Sequence, residues 1–424
     1  MPSCNCKIKS FVMKNGERYC LLVSKASGLP YYYPNLFLIT QVRNRSLSTA
    51  AMESTLASLN VLMAFNEKSN VDIEVRFLKR LFLQPNEMDA IRDYCQLNFS
   101  GPRDSAASKN VLQLPNQNRQ RKKRVIRTTD RASTYNRLTH IAHYSKWLAE
   151  TLLSTNTDKH TTLEIEKMYS GLKARRPPKK CCNQAESEEG LSREQIDVLL
   201  EVVQPGSERN PFHDPAIQVR NQVIILLLLY LGIRGGELLN IRVRDISFSN
   251  NQIVIARRAD DKSDPRIDQP LVKTLDRRIP MKPTLVSEIH NYILHHRNKV
   301  PRARKHDYLF ITHKAGPTQG QPMSRSAYEK LIALIAKSSP ELSILRGHGL
   351  RHTWNDSFSR LMDEMENPPS PEMQEQQRSY LQGWKSGSGS AAIYTKRHIK
   401  IRALEAGLQL QERMSIIPKN LKND

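Results

Sequence analysis

Three short stretches of the chain hold side chains that could act together on an anion. Gly232-Ile233-Arg234-Gly235-Gly236-Glu237-Leu238-Leu239 sets an arginine directly after an apolar run, with two glycines leaving room for something to approach. A cation anchored in apolar surroundings invites a ligand or a partner. An ion pair from Arg234 to Glu237, three residues on, is the purely structural alternative. His348-Gly349-Leu350-Arg351-His352-Thr353-Trp354 puts His348 and Arg351 three apart, so one helical face offers an imidazole and a guanidinium while Leu350 points to the core. Gly383-Trp384 then opens a Gly- and Ser-rich run, Lys385 to Ser390, and Tyr394 follows Trp384 by ten positions. Such a run leaves a tyrosine free to move. A phenol ionises at about pH 10 and is a poor nucleophile until cations favour its phenolate, so Tyr394 needs the other two stretches nearby. Blander roles fit Trp384 as a packing aromatic, Glu237 and His352 as structural groups, and His398 as a solvated residue.

These residues need elements to hold them. Asn221 to Leu231 is apolar nearly all round and reads as a buried helix ahead of Arg234. Leu191-Ser192-Arg193-Glu194-Gln195 offers a capping box, Ser192 with Gln195, which opens a new domain. Gln252 to Ala256, Leu271 to Thr274 and Arg278 to Met281 are strand candidates for a small antiparallel sheet, and helical patterns dominate beyond it. Upstream, Ser48 and Thr49 could cap a helix carrying Met52, Leu56, Leu59, Leu62 and Met63, and Val75 to Leu83 begins another apolar segment. A helix from about Ser133 to Leu153 carries Leu138, Ile141, Ala142, Leu148 and Leu152 on one stripe. Ser10 to Met13 and Tyr19 to Val23 flank Asn15-Gly16 as a hairpin. The fold class expected is mainly α with a small antiparallel β-sheet (α+β). The domains expected are a hairpin-like appendage at 1–35, a helical domain at 36–172 with a basic insert at 101–130, a basic linker at 173–190, and a second domain at 191–424 with a tail at 400–424.

Composition narrows the partner. Lysine and arginine number 65 against 42 acidic residues, a net charge of +23, which suits a polyanion and makes nucleic acid the first candidate. The runs Arg119-Gln120-Arg121-Lys122-Lys123-Arg124 and Lys173-Ala174-Arg175-Arg176-Pro177-Pro178-Lys179-Lys180 are loop-like, the second interrupted by prolines. Arg121, Lys122, Lys123, Arg124, Arg175 and Arg176 are candidates for the DNA backbone, a solvated loop being the plain alternative. The longest apolar run, Val223 to Leu231, falls well short of the roughly 20 residues of a membrane span, and Met1 opens no export signal. The expectation is a cytoplasmic protein, nucleoid-associated when bound to DNA in a bacterium. Cys4, Cys6, Cys20, Cys95, Cys181 and Cys182 then read as reduced thiols, with a metal role for the first three a minor alternative.

Arginine opening a helix, His-x-x-Arg-His, Gly-Trp and a later tyrosine, in this order, resemble the tyrosine recombinase (phage integrase) family. The resemblance is strong from about 190 to 400. It is looser from 36 to 170, where Thr134-Tyr135-Asn136-Arg137-Leu138 to Lys146-Trp147-Leu148 looks like the closing helix of that family's core-binding domain. It implies a β-hairpin lysine between Arg234 and His348, ahead of a strand reading Arg-x-Ile-Pro. Lys273 meets this, since Val272-Lys273-Thr274 is followed by Arg278-Ile279-Pro280-Met281, and Lys262 is the runner-up. Two features depart from the family: Arg257 to Pro270 looks like an insertion, and the interval from Arg351 to Trp384 is stretched around Glu364 to Gln377, where a surface loop is expected.

The implied site is Arg234, Lys273, His348, Arg351, Trp384 and the nucleophile Tyr394. Planar guanidinium groups match the oxygens of a phosphodiester under attack, an ammonium suits protonation of the leaving 5′-oxygen, His348 assists as acid/base or donor, and Trp384 donates to phosphate or braces the tyrosine. The resemblance further implies a covalent 3′-phosphotyrosyl link, no metal or other cofactor, double-stranded DNA as partner, a dimer per site and a homotetramer during exchange. Accessory DNA-bending or element-encoded proteins would fit a mobile genetic element. Ile401, Leu404 and Leu408 form a stripe that would dock the tail on a neighbouring protomer. The alternatives are a type IB topoisomerase or telomere resolvase, or a DNA-binding protein of this fold that does not cut.

Overall fold

In a computed structural model, residues 5–45, 49–98, 128–154, 158–178, 190–385 and 403–413 are described. The chain divides near Cys182 into two units.

The first unit begins with a hairpin, β1 (Cys6–Val12) and β2 (Arg18–Ser24), paired antiparallel from Cys6 opposite Ser24 to Val12 opposite Arg18. Helices α1 (Tyr32–Phe37), α2 (Thr49–Ser69), α3 (Ile73–Leu78), α4 (Pro85–Cys95), α5 (Arg131–Leu152) and α6 (Lys159–Ala174) follow. Asp72, Asp130 and Asp158 cap α3, α5 and α6 by accepting from backbone amides of the first turn. The apolar stripes are buried where the spacing puts them: Met52, Leu56, Leu59 and Leu62 of α2 meet Leu138, Ile141, Ala142 and Leu148 of α5 in one core.

The hairpin is not an appendage. Cys6, Tyr19, Cys20 and Leu22 share the core of α2 and α5, and the Asn35 side chain bonds both the amide and the carbonyl of Leu22 at 2.9 Å. A two-stranded hairpin is marginal alone, and β2 is apolar on both faces, so it must be covered. Burial pushes the Cys20 thiol up to about 12, with Glu53 adding to it, which disfavours the thiolate a metal would need. Cys6, Cys20 and Cys95 are free thiols, all buried.

In the second unit, α7 (Arg193–Val203) starts with Ser192 and Gln195 in a reciprocal capping box. Helix α8 (Pro215–Leu231) buries Val223, Ile224, Ile225, Leu227, Leu228, Leu229 and Leu231, and stops at Gly232, whose φ of 61° is the left-handed value a C-cap requires. A single turn, α9 (Gly235–Leu238), leads to strands β3 (Ile246–Ser247), β4 (Gln252–Ile255) and β5 (Arg277–Pro280), an antiparallel sheet in sequence order with Ile246 opposite Ile253 and Ile253 opposite Ile279. Helices α10 (Pro283–Asn291), α11 (Arg325–Ser338), α12 (Gly349–Glu364) and α13 (Pro371–Gln382) complete the unit.

Two local expectations fail here. Leu271 to Thr274 is not a strand; the third strand is the short β3, because the insertion occupies the chain that would have paired. Glu364 to Gln377 is not a surface loop: α12 reaches Glu364, and α13 begins at Pro371 with the Ser370 hydroxyl accepting from the Met373 amide. Serine at the cap, proline at the first position and a run of Glu and Gln are helix-starting and helix-forming residues, and Arg378 and Gln382 supply a buried face.

Among the described residues no helix is long and apolar enough to cross a membrane. Residues 403–413 are helical, with Leu404 and Leu408 exposed.

Candidate active site

The left-handed turn at Gly232 sends the chain from α8 directly into Arg234, which stands at the N-cap of α9. The Arg234 amide donates to Glu237 Oε2 at 3.1 Å, and its Nη1 lies 3.6 Å from Glu237 Oε1. The ion pair read from the spacing therefore forms, yet it does not consume the arginine. Its side chain keeps 28% of its exposure while that of Glu237 has none. Two further groups reach the same carboxylate: Thr274 donates its hydroxyl at 2.5 Å and Arg277 donates Nη2 at 2.8 Å.

Arg351, on the first turn of α12, is fully buried. Its Nη1 donates to the Gly232 carbonyl at 2.8 Å and its Nη2 to the Gln382 carbonyl at 2.9 Å. One side chain thus ties the end of α8 to the end of α13, and its guanidinium stands 5.5 Å from the centre of the Trp384 ring. Burial alone would push the Glu237 carboxyl up; the charge and hydrogen bond of Arg277, then the charge of Arg351 and the Thr274 hydroxyl, outweigh it and hold the group below the ordinary carboxylate range. Three guanidinium groups, from Arg234, Arg277 and Arg351, act on this one carboxylate.

The remaining members are gathered by close packing. The space beside Gly235 is not open: a Cβ there would come 2.7 Å from the Tyr328 ring, and one at Gly236 3.1 Å from the Leu271 carbonyl oxygen. A Cβ at Gly347 would collide with the Tyr328 hydroxyl. Tyr328 of α11 is therefore the wedge on which the Arg234 turn and the His348 turn both close, and the glycines serve the protein's own packing instead of an incoming ligand. His348 stands at the N-terminal end of α12, its ring perpendicular to that of His352 at 5.1 Å. Trp384 is 6% exposed. Trp354 lies against Gly232 and donates Nε1 to the Tyr230 carbonyl at 3.0 Å.

Lys273 is exposed between buried neighbours, Val272 at 2% and Thr274 at 7%. Because Thr274 bonds Glu237, the lysine is one residue from the arginine cluster. Lys262 is also exposed, but its neighbours Asp261 and Ser263 are bonded to Arg242. The insertion from Arg257 to Pro270 forms a polar knot: Arg266 pairs with Asp264 at 2.8 Å, Arg258 with Asp245 at 2.6 Å, and Arg242 with Asp261.

Tyr394 lies outside the described residues, as do Arg121, Lys122, Lys123, Arg124, His398 and Ile401. Arg175 and Arg176 are described, and neither sits in an open linker. Arg175 caps α6 and binds Asp89 at 2.8 Å together with the carbonyls of Gly171 and Pro85. Arg176 bonds Thr139 and stacks 4.6 Å over the Tyr135 ring. Carboxylate, carbonyl and ring partners in their own unit engage these two side chains.

Reading the sequence alone missed Arg277, Thr274 and Tyr328. A signal for Arg277 was present. In β5 the alternate positions Arg277 and Ile279 are buried and Arg278 and Pro280 exposed, so the strand's period of two puts an arginine on its apolar face.

Residues 189–364 match the phage integrase family. Tyrosine recombinase XerD of Halalkalibacterium halodurans is 25% identical over 164 residues, 39% of this chain and 46% of the relative. Tyrosine recombinase XerC of Staphylococcus aureus is 25% identical over 161 residues, 38% of this chain and 44% of the relative. The chain thus spans under half the length of these curated relatives. The XerH site-specific recombinase, solved bound to a palindromic difH substrate as a post-cleavage complex, has a TM-score of 0.50 at 15% identity, covering 87% of this chain and 82% of that one; it shares the fold. The arginine, His-x-x-Arg-His and Gly-Trp motifs all fall in the second unit, whose residues 189–364 are similar to the phage integrase family.

Proposed function

We propose that this chain is a site-specific DNA recombinase that cuts and rejoins DNA through a covalent 3′-phosphotyrosyl link at Tyr394. The observation that carries the reading is the excess of cation at Glu237: three guanidinium groups for one carboxylate leave a net positive site, against which a phosphodiester is the complementary anion. The match of residues 189–364 to the phage integrase family supports it.

In this mechanism the Tyr394 oxygen attacks the scissile phosphorus, giving its proton to His348, while the bond from phosphorus to the 5′-oxygen breaks. The leaving oxygen takes a proton from Lys273. Arg234, the most exposed of the three arginines, donates to the non-bridging oxygens. Arg351 adds its charge from the floor of the site and contacts phosphate when it exchanges a carbonyl partner; such contacts commonly tighten only in the complex. Trp384 covers Arg351 and braces the segment leading to Tyr394. One phosphate ester replaces another, so the bond energy is conserved and the freed 5′-hydroxyl of a second duplex can reverse the step. Strand exchange then needs four protomers, two per site, acting on DNA inside the cell for a mobile genetic element, with accessory proteins that bend DNA or are encoded by the element.

The test is covalent capture. The full chain is incubated with a library of duplexes of randomised sequence nicked near the centre, and DNA that stays attached in detergent is recovered. Attachment by the native protein and none by Tyr394→Phe is the expected result. Absence of covalent DNA from both, with ordinary binding retained, would leave a DNA-binding protein. Relaxation of supercoiled plasmid by a monomer, without paired sites, would point to a topoisomerase.

A further inference from the structure

Arg277 touches more of the site than any group given a chemical step. Its side chain is 1% exposed, and each of its three nitrogens reaches a different segment. Nη2 donates to Glu237 Oε2 at 2.8 Å, Nη1 to the Thr274 hydroxyl at 3.1 Å, and Nε to the Leu381 carbonyl at 2.7 Å. The segments are the turn holding Arg234, the chain holding Lys273, and the last turn of α13 before Trp384.

The Thr274 hydroxyl is the centre of this arrangement. It accepts from Arg277 and donates its one proton to Glu237 at 2.5 Å, so its direction is set from both sides. One residue further on, the Leu275 amide donates to the Gly383 carbonyl at 2.9 Å. On the other side, Val272 is in the main core. The backbone of Lys273 is therefore pinned before and after, while its side chain stays exposed. In a proton transfer that geometry matters, because a misplacement of about 1 Å can cost on the order of 10²-fold in rate. Only a planar, branched cation can reach three acceptors in three directions, so lysine is not equivalent at this position.

We propose, resting on the recombinase reading above, that Arg277 acting through Thr274 is a positioning residue for Lys273, and that it couples this lysine to the Gly383-Trp384 segment leading to Tyr394. Arg277 touches neither phosphate nor tyrosine. It sets where the lysine ammonium stands when the 5′-oxygen leaves.

The experiment uses the full chain and a duplex recovered by covalent capture, made in two forms: with the ordinary 5′-oxygen at the scissile phosphate, and with sulfur in that bridging position. A thiolate leaves without a proton, so the sulfur form needs no general acid. Lys273→Ala should lose on the order of 10²- to 10⁴-fold in cleavage of the oxygen form and regain most of it on sulfur. Thr274→Val and Arg277→Lys should show the same pattern at about 10- to 10²-fold. Equal losses on oxygen and sulfur, or no loss on oxygen, would overturn the proposal. Should Arg277→Lys fail to fold, Thr274→Val decides, since it removes one hydroxyl and little volume. If Lys273→Ala is not rescued by sulfur while the native protein cleaves both forms, the lysine assignment and this inference fall and the nucleophile stands. If no duplex is ever captured, the recombinase reading falls, and the inference with it.

Discussion

Two buried charge clusters lie in the second unit, and they are built on opposite accounts. In the insertion knot three arginines each have their own carboxylate: Arg266 with Asp264, Arg258 with Asp245, Arg242 with Asp261. Leftover donors of Arg266 go to the carbonyls of Leu239 and Met323 at 3.1 and 2.9 Å. Around Glu237 three arginines act on a single carboxylate, and one of them, Arg234, keeps part of its surface exposed. Balance marks the knot as structure, since a matched buried pair offsets its desolvation and leaves no field for a ligand. Excess is what the proposed site at Glu237 would use, because cations that the fold holds in excess of carboxylate are already oriented for an incoming anion. Arginine content alone would not have separated them.

The contrast can be broken at either cluster. The largest effect is expected at the knot: Arg266→Ala leaves Asp264 buried without its cation and should lower the unfolding free energy of the second unit by about 3–5 kcal/mol in denaturant titration. Next is Arg234→Ala, which removes an anion donor and should cut the rate of covalent capture by about 10²- to 10³-fold while shifting the melting temperature little. An Arg234 variant that unfolds, or an Arg266 variant that melts normally, would erase the distinction drawn above.

Smaller is the response to pH, where two groups report in separate windows. Burial, then the charge of Arg220, pushes His313 down to about 4. Its neutral form is favoured by folding, so that stability is complete above the unfolded value of about 6.5 and lost as pH falls toward 4, up to ~3 kcal/mol. Glu237 also has a lowered folded value. Its contribution is present above the ordinary carboxylate range and is lost only as pH drops below about 4. His313→Gln should flatten the upper part of the curve and Glu237→Gln the lower part; one variant that flattens both would merge the two assignments. Smallest is the response to inorganic phosphate. At about ten times its dissociation constant it should stabilise the native protein by about 1.4 kcal/mol, and Arg234→Ala should abolish the shift in melting temperature.

Much of the fold and of the site is legible in the order of the residues alone. The stripe from Leu138 to Leu148, the Ser192 and Gln195 cap, the all-round apolar helix into Arg234, and the ordered motifs at Arg234, His348, Arg351 and Trp384 depend on residues close in sequence. Helical period and capping are local rules, so they read correctly. What failed involved partners far along the chain. The hairpin at Cys6 to Ser24 looked detachable because α2 and α5, whose core it shares, lie beyond residue 48. The Pro- and Glu-rich stretch looked like a loop because the buried environment of Arg378 and Gln382 is set by distant segments. Arg175 read as part of a linker, whereas it caps α6 and bonds Asp89, 86 residues away.

The sequence by itself determined the similarity to the phage integrase family over its second part, the mainly helical character and the positions of the motif arginines, because periodicity and motif order survive in one dimension. Only the tertiary structure decided how charge is apportioned: that Arg351 is enclosed by two carbonyls, that Arg277 joins three segments through Thr274, and that Glu237 is outnumbered while Asp264 is matched. Such accounts depend on which groups share one low-dielectric volume, and distance through space is not written in distance along the chain.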